Sequence, residues 1–203
     1  VMHNGTHGDL EQQLYVDDAV AIEHGHLVLR TARTSATGPD GKRIYNFSSG
    51  WVDTKGKQET QFGRWEIRAR LPDPEARGIW PAHWLMPRFE RGSSSDWNCW
   101  PVGGEIDIIE GANLNTKVAT TLHTTGGCDM NPLCPDFPDM TGDFGAFLTC
   151  DGAANGNMGC GITGPEHSYG EPLNAQGGGV FVAEGLERQI SVWFCQHGQE
   201  PRD

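Results

Sequence analysis

Glu105-Ile106-Asp107-Ile108-Ile109-Glu110 sets three carboxylates into what otherwise reads as a buried β-strand. Burying a charge is costly unless something nearby compensates it or uses it. Strand side chains alternate between faces, so Glu105 and Asp107 point one way and Glu110, five positions on, points the other. One unpaired extra residue, a β-bulge, restores the phase and turns all three acids to the same face. The spacing therefore predicts a bulge near Ile108 or Ile109, and the three isoleucines argue against an exposed acidic edge. With a rise of roughly 3.3 Å per residue, the strand must also curve for the two glutamates to reach one substrate group.

The rest of the chain reads as short strands punctuated by turns, with no long apolar repeat at helical spacing. Residues 19–22 and 26–31 form a strand pair around His24-Gly25, and Gly38-Pro39-Asp40-Gly41 is a turn. Strands are expected at 50–54, 63–71, 79–86, 105–110, 118–124, 179–184 and 189–194. This is the pattern of an all-β sandwich. With 203 residues and neither repeat nor linker, the chain is expected to be one domain over residues 1–203.

Charge narrows the partners. A formal net charge of −12 excludes nucleic acid and anionic membranes as natural partners, because both need clustered Lys and Arg. An uncharged polymer needs no such complement. The six cysteines, at 99, 128, 134, 150, 160 and 195, lack the paired spacing of a zinc site and fit disulfides in a secreted protein. Four of them fall between Cys128 and Cys160, in a stretch rich in Gly, Asp, Asn and Pro, and two bridges are expected there. Asn4-Gly5-Thr6 and Asn46-Phe47-Ser48 match the glycosylation acceptor pattern, in keeping with an extracellular location. The sequence shows no signal peptide and no membrane-spanning run, as in a mature form without its leader.

Two neighbouring acids whose surroundings push their protonation apart are the groups that cleavage of a glycosidic bond requires. Around the acidic strand lie Gly63-Arg64-Trp65-Glu66-Ile67-Arg68-Ala69-Arg70-Leu71-Pro72, then Gly78-Ile79-Trp80-Pro81-Ala82-His83-Trp84-Leu85-Met86-Pro87, then Trp100-Pro101 before Gly104-Glu105. From about Leu14 to Phe194 the chain resembles glycoside hydrolase family 16, in its laminarinase branch. The resemblance implies a jelly-roll β-sandwich of two antiparallel sheets with a concave substrate cleft. It also implies a retaining, endo-acting hydrolase of β-1,3 or mixed β-1,3-1,4 glucans. Family members continue past the strand resembling residues 190–194, so the chain is expected to lack the last strands usual in the family, leaving Cys195 for a partner beyond Asp203.

Carried onto this sequence, the family pattern makes Glu105 the nucleophile, Glu110 the acid/base and Asp107 the group between them. Trp100 matches the position that stacks beside the cleaved bond, and His123 the histidine beside the acid/base. Glu66 and Arg68 match residues of the concave face, and Asn46 lies in a segment resembling a loop near the sugar subsites. Alternation puts Trp84 on the same face as Trp80 as a further aromatic platform, since sugar rings pack their C–H faces on aromatic rings. The same alternation turns His83 the other way, to a structural place.

The expected partner is a β-glucan, bound by a monomer that needs no cofactor or catalytic metal; the family leaves room for a structural calcium ion. Two other readings compete. A non-catalytic glucan-binding module of the same fold would be expected to have lost its catalytic acids, and all three are present. The extra residue in E-x-D-x-x-E departs from the shorter spacing of lichenases and xyloglucan enzymes, but agarases and carrageenases share it; their substrates favour more basic clefts.

Overall fold

The computed structural model describes residues 11–72, 77–88, 100–133 and 140–200. The sequence leads one to expect a single domain; the chain gathers into two compact units, Val1–Thr60 and Gln61–Asp203.

The first unit contains β1 (Gln13–Tyr15), β2 (Val20–Glu23), β3 (His26–Leu29), β4 (Ala32–Thr37) and β5 (Ile44–Ser49). β2 and β3 form the expected hairpin, with positive φ at both His24 and Gly25, the geometry that a two-residue turn needs to match strand twist. β4 pairs antiparallel with β5 across the predicted turn, where Asp40 Oδ1 accepts the N–H groups of Lys42 at 2.9 Å and Arg43 at 3.0 Å. β1 adds to the other side of β5 in parallel, so this sheet is not purely antiparallel. The expected strand at 50–54 is reduced to a single bridging residue, Val52. Asn46, expected in a loop, lies within β5 and is exposed.

The second unit contains β6 (Gly63–Ala69), β7 (Ala82–Leu85), β8 (Glu105–Glu110), β9 (Ala119–His123), β10 (Asp143–Phe144), β11 (Cys160–Thr163), a short helix α1 (Gly170–Ala175), β12 (Gly179–Gly185) and β13 (Ile190–Gln196). One antiparallel sheet has the order β10-β11-β9-β8-β7 and a second β13-β12-β6. Pro81, which has no N–H to give a ladder, explains why β7 begins at Ala82 and not at Ile79. The two sheets share a core of Leu71, Ile108, Ile109, Val118, Tyr169, Leu173, Phe181 and Ala183, with Trp65, Ile67, Leu85 and Ile106 packed against it.

That core decides the fate of two expected cleft residues. In β6 the core face carries Trp65, Ile67 and Ala69, with Ile67 opposite Phe181 of β12. Glu66 and Arg68 alternate with them and therefore stand on the outer face of the three-stranded sheet, where Glu66 pairs with Arg64 at 3.0 Å and Arg68 meets the His197 ring. The expectation that they line the same face as the three acids is corrected: the core lies between. Alternation tells the two faces of a strand apart but does not say which sheet the strand joins.

Candidate active site

β8 carries the predicted bulge. Against β9, Asp107 pairs with Thr121 and Glu110 with Ala119, three steps on one strand for two on the other. Against β7, Ile109 pairs with His83 and Asp107 with Trp84, two steps for one. Ile108 and Ile109 are thus both free to enter the core, where they are 1% and 2% exposed. Full burial of an isoleucine is worth about 1.5–3 kcal/mol, so two consecutive ones fix the phase of the strand. The partners of the acids on β9, namely His123 for Glu105, Thr121 for Asp107 and Ala119 for Glu110, are alternate residues and share a face. Glu105, Asp107 and Glu110 consequently project together from the side opposite the core.

Each glutamate is held by an indole. Trp100, which leads into the turn closed by Gly104 N–H on Pro101 O at 3.0 Å, donates its Nε1–H to Glu105 Oε2. Trp80 donates Nε1–H to Glu110 Oε1 at 2.9 Å while its ring stays 69% exposed. Asp107, between them, is 2% exposed and has Oδ2 at 3.1 Å from His123 Nε2. That last contact is one of charge rather than an aligned hydrogen bond, because neither Asp107 Oδ2 nor His123 Nδ1 has a hydrogen-bond partner among the described residues.

The electrostatics follow from this crowding. Burial first, then the Asp107 charge, push the Glu110 carboxyl up to about 7, against the Trp80 hydrogen bond and the His123 charge, which favour ionisation. Glu105 is raised for the same two leading reasons, while the Trp100 N–H and His123 oppose the rise. Burial disfavours a charged His123 ring, yet its contact with Asp107 and the charges of Asp107, Glu105 and Glu110 outweigh that, and its pKa is raised. A trio of this kind retains a proton near neutral pH and can give it up at a defined place.

Further groups fix the site from behind. The Tyr169 hydroxyl donates to Gly111 O at 2.9 Å, directly after Glu110, and its burial pushes the phenol up to about 12. Ser168 Oγ accepts the N–H of Val118 at 2.9 Å at the start of β9. Cys150 and Cys160 form a disulfide, and the loop it closes brings Gly152 against the Trp100 ring and Gly159 against His123. Of the two bridges expected in this stretch, that is the one among the described residues; Cys99 and Cys134 lie outside them. Cys128 and Cys195 are in no disulfide with a described residue. Among the described residues no group of three His, Cys, Asp or Glu side chains is placed to hold a metal ion.

The structure therefore gathers Glu105, Asp107, Glu110, Trp100 and His123. The register places Trp84, half-buried, opposite Asp107 on the same face, and His83 on the core side, where burial lowers its pKa. Trp80 has a closer tie to the acids than alternation alone suggests. Pro81, which follows it, keeps Trp80 out of the ladder, so strand alternation does not reach its ring.

The sequence pattern of the XgeA-like, catalytic GH16 domain matches residues 55–203. The chain belongs to glycoside hydrolase family 16. Among curated relatives, a probable glycosidase of Schizosaccharomyces pombe is 33% identical over 202 residues, covering 98% of this chain and 43% of that protein. The endo-1,3(4)-beta-glucanase xgeA of Emericella nidulans is 37% identical over 124 residues, covering 61% of this chain and 17% of its own length. The chain thus spans less than half of these relatives. Among solved structures, an elongating family 16 β-1,3-glucosyltransferase superposes with a TM-score of 0.72 at 25% identity over 98% of this chain and 63% of its own. Laminarinase 16A from Phanerochaete chrysosporium, solved with β-glucans in donor and acceptor sites, gives 0.68 at 25% identity over 98% and 66%. These neighbours agree with the family 16 all-β sandwich.

Proposed function

We propose that this chain is the catalytic part of a secreted, monomeric, retaining endo-glucanase acting on β-1,3 or mixed β-1,3-1,4 glucans. The observation that carries the reading is the bulge in β8, which puts Glu105, Asp107 and Glu110 on one face with an indole on each glutamate. The named glucanases and laminarinases among the relatives support the substrate class. The Cys150–Cys160 disulfide and the exposed Asn46 of an acceptor triplet support secretion.

In the first step Glu105, ionised, attacks the anomeric carbon as Glu110 gives its proton to the departing glycosidic oxygen. In the second, Glu110 takes a proton from water, whose oxygen displaces Glu105. Asp107 stands beside Glu105, where its charge raises the proton affinity of that carboxyl, and no cofactor enters either step. The likeness to an elongating glucosyltransferase favours a second reading, in which a glucan hydroxyl replaces that water and the chain is lengthened.

Product analysis on laminarin, lichenan and carboxymethyl cellulose tests both. Shorter β-1,3 oligosaccharides whose first-formed anomer is β support hydrolysis with retention; products longer than the substrate support transfer. A first-formed α anomer refutes retention. Glu105→Gln is expected to lower turnover at least about a thousandfold, and a variant that kept most activity would remove Glu105 from its role.

A further inference from the structure

We propose that Trp80 is a positioning residue that decides which oxygen of Glu110 carries the transferable proton. Its Nε1–H lies 2.9 Å from Oε1. An indole N–H donates and cannot accept, so a proton on Oε1 would be set against another hydrogen. The acid proton is thereby assigned to Oε2, the oxygen left free for the substrate. When the glycosidic C–O bond breaks, the proton leaves Oε2 for the departing oxygen. In the second step the same Oε2, now bearing the negative charge that Oε1 shares with the indole, takes the proton of the attacking water. The inference rests on the acid/base role proposed above for Glu110 and adds to it the atom that does the work.

The placement of Trp80 is built and not incidental. A tryptophan that is 69% exposed is held by little apolar packing, so its hydrogen bond and its backbone must orient it. Pro81 confines the backbone of Trp80 to extended geometry. The preceding residues are clamped to the segment that follows the catalytic strand: Gly78 N–H donates to Asn113 Oδ1 at 2.9 Å, and Asn113 N–H to Ile79 O at 3.3 Å. Asn113 is three residues past Glu110, so one clamp carries both partners of the indole–carboxylate contact.

The other groups around Glu110 cannot substitute for this device. Asp107 and Glu105, on its own strand, are acids that repel its charge; His123 on β9 is a cation acting through space. β7 offers Ala82 and Trp84 on this face and no titratable group there.

Trp80→Phe keeps a ring and removes the N–H. An N–H on a carboxylate favours its charged form, so its loss raises the proton affinity of Glu110 and moves the alkaline limb of the kcat/KM profile upward, by about half to one pH unit. kcat on a β-1,3-glucan should fall about tenfold. Formation of the glycosyl-enzyme from an aryl β-glucoside, whose leaving group needs no acid, should change less than twofold or so. Asn113→Ala, which loosens the clamp but keeps the indole, should move the alkaline limb the same way by a smaller amount. The carboxyl carbon of Glu110 in 13C-glutamate-labelled protein should titrate higher in Trp80→Phe than in the parent, a readout that needs no substrate. A parent protein inactive on every β-glucan would overturn the glucanase reading, and the carbon titration would still decide the part played by Trp80. An active parent whose alkaline limb, substrate ratio and Glu110 titration are all unchanged in Trp80→Phe would overturn the inference and leave the glucanase reading standing.

Discussion

His123 holds Nε2 at 3.1 Å from Asp107 Oδ2 with both side chains almost fully buried, and so places one cation against three carboxyl groups. Its charge lowers the proton affinity of both Glu105 and Glu110. Replacing it with asparagine removes that effect, so both carboxyls should titrate higher. The acidic limb of the kcat/KM profile, set by the need for an ionised Glu105, should move upward, with a loss of roughly tenfold to a hundredfold at pH 6. The same substitution acts on stability with a definite sign. The pKa of His123 is raised on folding, so its contribution is full below the unfolded value and is lost as pH rises through the native one. Thermal melts should show His123→Asn further below the parent at pH 6 than at pH 9, and an equal gap at both would contradict the paired, protonated ring.

Glu110 should make the protein less stable at neutral pH than in mild acid. Its carboxyl is raised from 4.5 to about 7 by burial first and the Asp107 charge second. Between these values the native state binds more protons than the unfolded chain, so stability falls as pH rises from about 4.5 to 7 and the cost stays constant above. Glu110→Gln removes the titration while its side-chain oxygen still accepts the Trp80 N–H. The variant should be inactive yet melt a few degrees higher than the parent at pH 8, with the advantage gone at pH 4. A melting point that is lower at pH 8 would show that the carboxylate is well compensated in the folded state.

The site was legible in the sequence where alternation could be applied and opaque where it could not. E-x-D-x-x-E forced the bulge, since no regular strand puts positions 105, 107 and 110 on one face, and Ile108 with Ile109 gave the reason for it. Trp84 and His83 sorted correctly because both lie inside β7. Glu66 and Arg68 sorted correctly as a face, but the face belongs to the other sheet, and nothing within residues 63–69 reveals which neighbours β6 will take. Trp80 sits two residues before the ladder begins at Ala82, so only the fold shows its N–H on Glu110. The pairing of Cys150 with Cys160, and the proximity of their loop to Trp100 and His123, are long-range facts that spacing does not carry.

The loop closed by Cys150 and Cys160 should govern catalysis as well as stability. Bridging two residues ten apart restricts the unfolded chain by an amount worth about 3 kcal/mol at most in the loop-entropy picture. In the native state the loop is also the surface on which two site residues rest. A Cβ at Gly152 would lie 2.6 Å from Cη2 of Trp100, and one at Gly159, whose φ is +61°, would lie 2.9 Å from His123 Nδ1 and 2.7 Å from Leu122 O. No ordinary side chain fits at either place without moving backbone or ring. Gly159→Ala should therefore lower both the melting temperature and kcat, and because it displaces His123 it should also shift the acidic limb upward, as His123→Asn does. Cys150→Ser should lower stability by a few kcal/mol at most. Its kcat should fall at temperatures well below the melting transition, where a purely global effect would leave activity intact. Melting curves read beside pH–rate profiles at 25 °C separate the two. If Cys150→Ser and Gly159→Ala melt early but keep parental kcat and pH dependence while folded, the loop is a staple for the fold and no support for Trp100 and His123.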